Sequence, residues 1–353
     1  MFVRLSVAKA VAAPAAIIVL MACSAPGAAP NSSSASRPGS PSQSPNSSSR
    51  PAPGAEFPTC KLAVSWRIFD QSTRQWSATR VGFIQLPEGT LTEDPAGTAA
   101  AAVRSQVFYD LAARKWVPVR REAVSPDGSQ FAFVDSATGL HLVNVSSGND
   151  RLLLADGGWE VVEFGSDALY LAKAEPFQSV FAGSGIALKG LYREPMSGGP
   201  PRRLLSSDVA YFTISKGYGW ALAVQGIEAP PRQLVRIDLQ SGASDVWYTA
   251  PELSGIGQLA VDTTGSPILA LSRQGALRLL RVEAKDTTRT LFESPDKIRP
   301  QGGYAIDSAG LWLSTFTPAE PFSSPPWLVD TAGQLHRLPS VAPNSVEVVG
   351  GCH

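Results

Sequence analysis

Histidine, cysteine and methionine each occur only three times in this 353-residue chain. The histidines, His141, His336 and His353, are far apart, and no HxxxH or HExxH spacing occurs. That excludes the usual zinc patterns, and neither a metal nor a cofactor is expected. No GxSxG elbow is present, so the nucleophile turn of an α/β-hydrolase is missing. No residue stands out as catalytic. Charged residues make up only 17% of the chain and balance to zero, which gives no general pull toward nucleic acid or anionic lipid. The longest apolar run, "VAAPAAIIVL" at 11–20, is too short to span a bilayer and contains Pro14. Helical periodicity is missing too. "DPAGTAAAAVRS" (94–105) is expected to give one or two helical turns inside a loop.

What is present begins with a leader. Arg4 and Lys9 precede the apolar run, which ends in "LMAC" at 20–23. This resembles a bacterial lipoprotein lipobox, with Leu20, the small Ala22, and Cys23 as the residue that is lipidated. The alternative is an ordinary signal peptide cleaved near Ala22. Residues 1–22 are therefore expected to be a lipoprotein signal peptide. Without them, 28 Lys and Arg face 30 Asp and Glu, a net of −2. Residues 23–57 are expected to be the lipidated cysteine plus a linker of Ser, Pro, Ala, Gly and Asn, which cannot bury a core. As a coil of about 33 residues it would reach about 30 Å. Two or three acyl chains give stable anchoring. The expected location is the extracytoplasmic face of the cell membrane.

Residues 58–353 read differently. "REAVSPDGSQFAFVDSATGLHLVNVSSGNDRLLL" (121–154) holds short strand-like runs separated by turns. Ser125-Pro126-Asp127-Gly128 has type I turn chemistry. The runs beside it are β-branched and aromatic, and apolar on both faces, so both faces need cover. The rhythm returns over 159–205, 208–249, 257–292 and 302–338. Four strands in a period of about 40 residues predict a β-propeller. The "AVSPDGSQFAFVD…GLHLVNV" unit resembles the repeat of TolB-like and WD40-like propellers. That resemblance implies fold, since the motif is shared by propellers of unrelated function.

Six four-stranded blades are expected. In the sixth, "RVGFIQL" (80–86), "SQVFYDL" (105–111) and "RKWVPV" (114–119) are read as second, third and fourth strands. Its innermost strand comes from "NSVEVVGG" (344–351) or from "CKLAVSW" (60–66); a seventh blade built from both termini is the alternative. If the termini share a blade, Cys60 and Cys352 meet, and a disulfide is expected; two free thiols are the alternative. Export favours the disulfide.

Blade-to-blade loops and second-to-third strand loops emerge on one face of a propeller. Here they include every long loop: 87–104, 173–189, 225–233, 250–256, 293–301 and 315–326. The binding face is placed there. Candidate contacts for a ligand or partner are Phe177, Phe181, Glu228, Arg232, Glu320, Phe322 and Trp327. The leading functional expectation is a monomeric, non-enzymatic binding or scaffold module. Its partners would be the membrane, through the anchor, and an envelope protein, small ligand or glycan, but not nucleic acid. The alternatives are a hydrolase or lyase acting on extracellular glycans or lactones, and a TolB-like envelope assembly or sensor subunit. An enzyme would bring three or more carboxylate, Arg or His side chains together at the mouth of the channel.

Overall fold

The computed structural model describes residues 57–179, 183–224, 233–249, 256–262, 264–273, 276–294, 298–316, 325–332, 334–338 and 344–353. The described chain forms a six-bladed β-propeller. Four blades follow the sequence directly. They comprise Trp159–Phe164, Ala168–Ser179, Gly183–Pro195 and Arg202–Leu205; then Asp208–Ser215, Tyr218–Val224, Gln233–Asp238 and Ser244–Thr249. Next come Ile256–Val261, Pro267–Arg273, Ala276–Ala284 and Thr287–Glu293; then Arg299–Asp307, Gly310–Phe316, Trp327–Asp330 and Leu335–Arg337. In each, antiparallel neighbours step outward from the axis.

The "SPDG" unit is a blade whose inner strand has shrunk. Only Val124 bridges Phe131, after a short helical turn at Arg121–Ala123. Gln130–Asp135, Gly139–Asn144 and Asp150–Leu154 complete it. Ser125 Oγ donates to Asp127 Oδ1 at 2.7 Å and accepts from the Gln130 N–H at 2.9 Å, locking the turn. Gly128 sits at φ +68° with the Asp110 carboxylate directly against it, so a side chain there meets both strain and a clash.

The closing blade differs from the sequence expectation. Asn344–Cys352 is innermost and Cys60–Asp70 is second, so both terminal segments are used. Arg80–Leu86 is third rather than second, and Thr90–Glu93 is fourth. The expected third and fourth strands instead form a separate ribbon, Phe108–Asp110 with Lys115–Val117. The cause is the polar "TLTE", which sequence pattern assigns to loop but which needs no core because it lies at the rim. Gly82 lets it approach, since a Cβ there would collide with the Thr92 carbonyl. The 94–105 segment is a full helix, Pro95–Arg104. Asp94 caps it, accepting from the Ala96 N–H at 3.0 Å, and a proline opens its first turn. Likewise, 173–189 is not a loop. It continues Ala168–Ser179 and Gly183–Pro195 as a long paired hairpin.

Core residues lie between blades rather than within them. Leu140, Phe131, Leu169 and Leu171 fill one such seam, and Leu222, Leu234, Leu269 and Leu271 another. Both faces of each sheet are therefore covered, as its doubly apolar strands require. The ring closes where Trp312 and Leu328 meet Leu62, Val346 and Val348. Cys60 and Cys352 are joined by a disulfide, with Cα atoms 5.6 Å apart. Backbone bonds between Lys61 and His353 run in both directions, at 3.0 and 3.2 Å.

Candidate functional site

The innermost strands of the five four-stranded blades all run the same way, from the loop face to the tight-turn face. Side chains aimed inward therefore converge on the axis, where charged and polar groups stand among apolar ones. Local irregularity supplies the aim. The pairing of the innermost strand slips between Val161 and Glu163, Val209 and Tyr211, Ile256 and Gln258, and Pro300 and Tyr304. The first three slips each add one residue and the fourth adds two, which re-aims the side chains around them. Glu160, Glu163, Tyr211, Gln258 and Tyr304 reach the channel in this way.

An upper chamber of about 360 Å³ lies on the axis toward the loop face. Its polar wall holds Arg120, Glu122, Glu160, Tyr211, Gln258 and Glu347; its apolar wall includes Val161, Val162, Val209 and Leu259. A lower chamber of about 390 Å³ opens at the tight turns, beside Ser125, Phe164, Ile306 and Gly351. Phe108, Arg121 and Tyr304 line both chambers. These three side chains form the partition between them.

Arg121 is the centre of that partition. Its Nη2 donates to the Tyr304 hydroxyl at 2.7 Å, and its guanidinium lies 4.8 Å from the Tyr304 ring centre. Glu163 Oε2 is 3.7 Å from Nη2, and Glu122 Oε1 is 3.7 Å from Nε. Burial works against the Arg121 charge, but Tyr304, Glu163 and Glu122 outweigh it and hold the guanidinium firmly protonated. Burial pushes Glu163 up to about 8, although Arg121 pulls the other way. The Tyr304 hydroxyl is raised by burial as well. Near pH 7 Glu163 therefore keeps its proton and can donate it. In the upper chamber Arg120 is bound to Glu160. Burial raises Glu347, against the pull of the Gly303 N–H and Arg67. Its side chain is nevertheless reached by solvent, as befits the wall of an open channel.

Most loop-face candidates read from the sequence fall elsewhere. Phe181, Glu228, Arg232, Glu320 and Phe322 lie outside the described residues, as does Cys23. Phe177 belongs to the extended hairpin, with its side chain outside the described set. Trp327 corrects the expectation. It opens a strand and is packed between blades with Leu279, Ile298 and Leu313, so it serves the core and not an exposed surface. The histidines are structural. His141 bonds Asp150 at 2.8 Å and stacks on Phe133, His336 bonds Asp330 at 2.8 Å, and His353 packs on Phe83 and Tyr109. Among the described residues no group of three His, Cys, Asp or Glu side chains is arranged to hold a metal.

The axial residues were missed by sequence reasoning. Their signal was a charge or phenol placed within an otherwise apolar innermost strand: "WEVVEF", "VAYFTI", "GGYAID" and "SVEVV".

No known family profile matches the sequence, and no curated protein matches it. Among solved structures, the chain is similar to an oligogalacturonate lyase in complex with manganese, at 13% identity and TM-score 0.46, covering 80% of this chain and 74% of that one. It is similar to a 6-phosphogluconolactonase assigned in Bacteroides uniformis, at 12% identity and TM-score 0.41, covering 82% and 97%. BamB from Moraxella catarrhalis follows at 13% identity and TM-score 0.32, covering 62% and 72%. At this distance none of them bears on the site.

Proposed function

We propose that this chain is a lipid-anchored, extracytoplasmic binding module. In this reading Cys23 carries the anchor, and the propeller presents the loop-face end of its axis to a ligand or to a segment of an envelope partner. One observation carries the proposal: the chamber of about 360 Å³ into which the innermost strands direct both charged and apolar groups. Concave sites with apolar walls and a few convergent polar groups are where ligands bind. The rigid ring holds those groups in place without any cost of ordering at binding. The test is photo-crosslinking in intact cells, with the probe at Leu188 on the chamber wall and a control probe at Asp127 on the opposite face. A reproducible adduct at Leu188 alone supports the reading. Absence of any adduct from either position overturns it.

A second reading has its own observation. Glu163, Arg121 and Tyr304 bring a protonated carboxyl, a cation and a phenol together at the partition. A general acid beside a positive charge is suited to hydrolysis or elimination on glycans or lactones. Turnover of such a panel that Glu163→Gln abolishes, with folding intact, would establish the enzyme. No turnover by the parent chain removes this reading.

A further inference from the structure

We infer that the upper chamber selects a protonated amine or guanidinium carried on an apolar stem. The inference rests on the axial chamber being a binding site, and it adds the chemical class of the ligand.

The argument is one of charge and shape. Two cations and three carboxylates line the chamber. Arg120 is spent on Glu160. Arg121 is held by Tyr304, with Glu122 and Glu163 beside it. Glu347 remains. Among the described residues no ion pair engages its carboxylate; Arg67, two positions along the paired strand, attracts it from farther off, and the side chain is reached by solvent. The Gly303 N–H also favours its charged form.

A carboxylate held in a partly desolvated recess with no cation in contact can receive one. An anionic ligand would meet three carboxylates and find both guanidiniums engaged. A cation finds Glu347, with Tyr211 also lining the chamber. The apolar wall from Val161, Val162, Val209 and Leu259 suits a short hydrocarbon stem and gives nothing to a wholly polar solute. Such a head and stem occur on free alkylamines and on lysine or arginine side chains of a protein partner. The chemistry is shared, and the test separates the two sources.

The probe is n-hexylammonium chloride, titrated against the folded chain by calorimetry, with n-hexanoate and n-hexanol as controls. The expected result is saturable binding of the amine at least about tenfold tighter than either control. Glu347→Gln keeps the shape and removes the charge, and is expected to weaken the amine about ten- to hundredfold, the worth of a charge-assisted hydrogen bond. A thermal melt on the same variant shows that the ring is intact. Leu188→Ala, which trims a half-buried side chain of the chamber wall and leaves Glu347 untouched, should weaken the amine as well. An N-acetyl-Gly-Lys-Gly-amide peptide that binds more tightly than hexylammonium points to a protein side chain; the reverse order points to a free amine. Equal affinity for hexanoate, or an amine affinity unchanged in Glu347→Gln, overturns the inference. A Leu188 crosslink to a partner together with no amine binding would retire the amine alone and leave the binding module standing.

Discussion

The Cys60–Cys352 disulfide fastens the ring at the one blade built from both ends of the described chain, and its removal has a calculable effect. It joins residues 292 positions apart. The chain-entropy relation for a loop of that length gives a stabilisation of about 5–6 kcal/mol at 25 °C, acting through the unfolded state. The native blade has other fastenings. Asn344–Cys352 keeps six registered pairs with Cys60–Asp70, and Val346 and Val348 are buried against Leu62 and Trp312. Cys352 N–H also donates to Asp307 Oδ2 at 2.7 Å, a bond that a serine retains. A Cys60→Ser/Cys352→Ser double variant is therefore expected to fold with the ring closed and to unfold more easily. Unfolding entropy is about 2.1 cal/mol/K per residue, so roughly 300 folded residues give about 0.6 kcal/mol/K, and the midpoint should fall by about 9 °C. Thermal and urea unfolding of the parent and the variant measure it. A loss below about 1 kcal/mol would refute the reasoning, because it would mean that the unfolded chain was not held by the link. A variant lacking sheet structure at 25 °C would refute the claim that strand pairing closes the ring unaided.

Three further outcomes are expected. Glu163 binds its proton up to about pH 8 in the folded protein, against 4.5 as its ordinary value. The native state thus holds more protons than the unfolded one between those limits. This contribution is full below pH 4.5 and is lost as pH rises toward 8, at up to about 1.4 kcal/mol per pH unit. Glu163→Gln should flatten the pH dependence of urea unfolding in that window, and an unchanged slope would contradict it. Glu194 is fully buried, with neither carboxylate oxygen hydrogen-bonded, and burial raises its pKa. Glu194→Leu should therefore stabilise the fold, more at pH 8 than at pH 5, and a loss of stability at both would show that the carboxyl has a role of its own. Cys23→Ala should shift the chain from the detergent phase to the aqueous phase on Triton X-114 partition of whole cells, and no shift would remove the lipid anchor.

The fold was legible because propeller blades repeat one local rule, and the site was not, because it arises from departures from that rule. The five later units announced themselves through turn residues and doubly apolar strands, and the contacts between neighbouring blades follow from that pattern alone. Termini were harder. Two segments competed for one place, and the structure uses both, pushing 80–86 outward by one position. Thr90–Glu93 has no apolar pattern to read, since an outermost strand needs little burial. The axial residues fail for a deeper reason. A strict two-residue alternation sends Glu160 and Glu163 to opposite faces of their strand, which would put one of them into an apolar seam. The slip between Val161 and Glu163 resolves the conflict and turns both toward the axis. Slips recur before Tyr211, Gln258 and Tyr304. An innermost strand whose polar residues break alternation is therefore a readable signal of an axial site. Its meaning depends on knowing first that the strand is innermost. Only ring closure shows that, and ring closure here depends on a pairing between residues almost 300 positions apart.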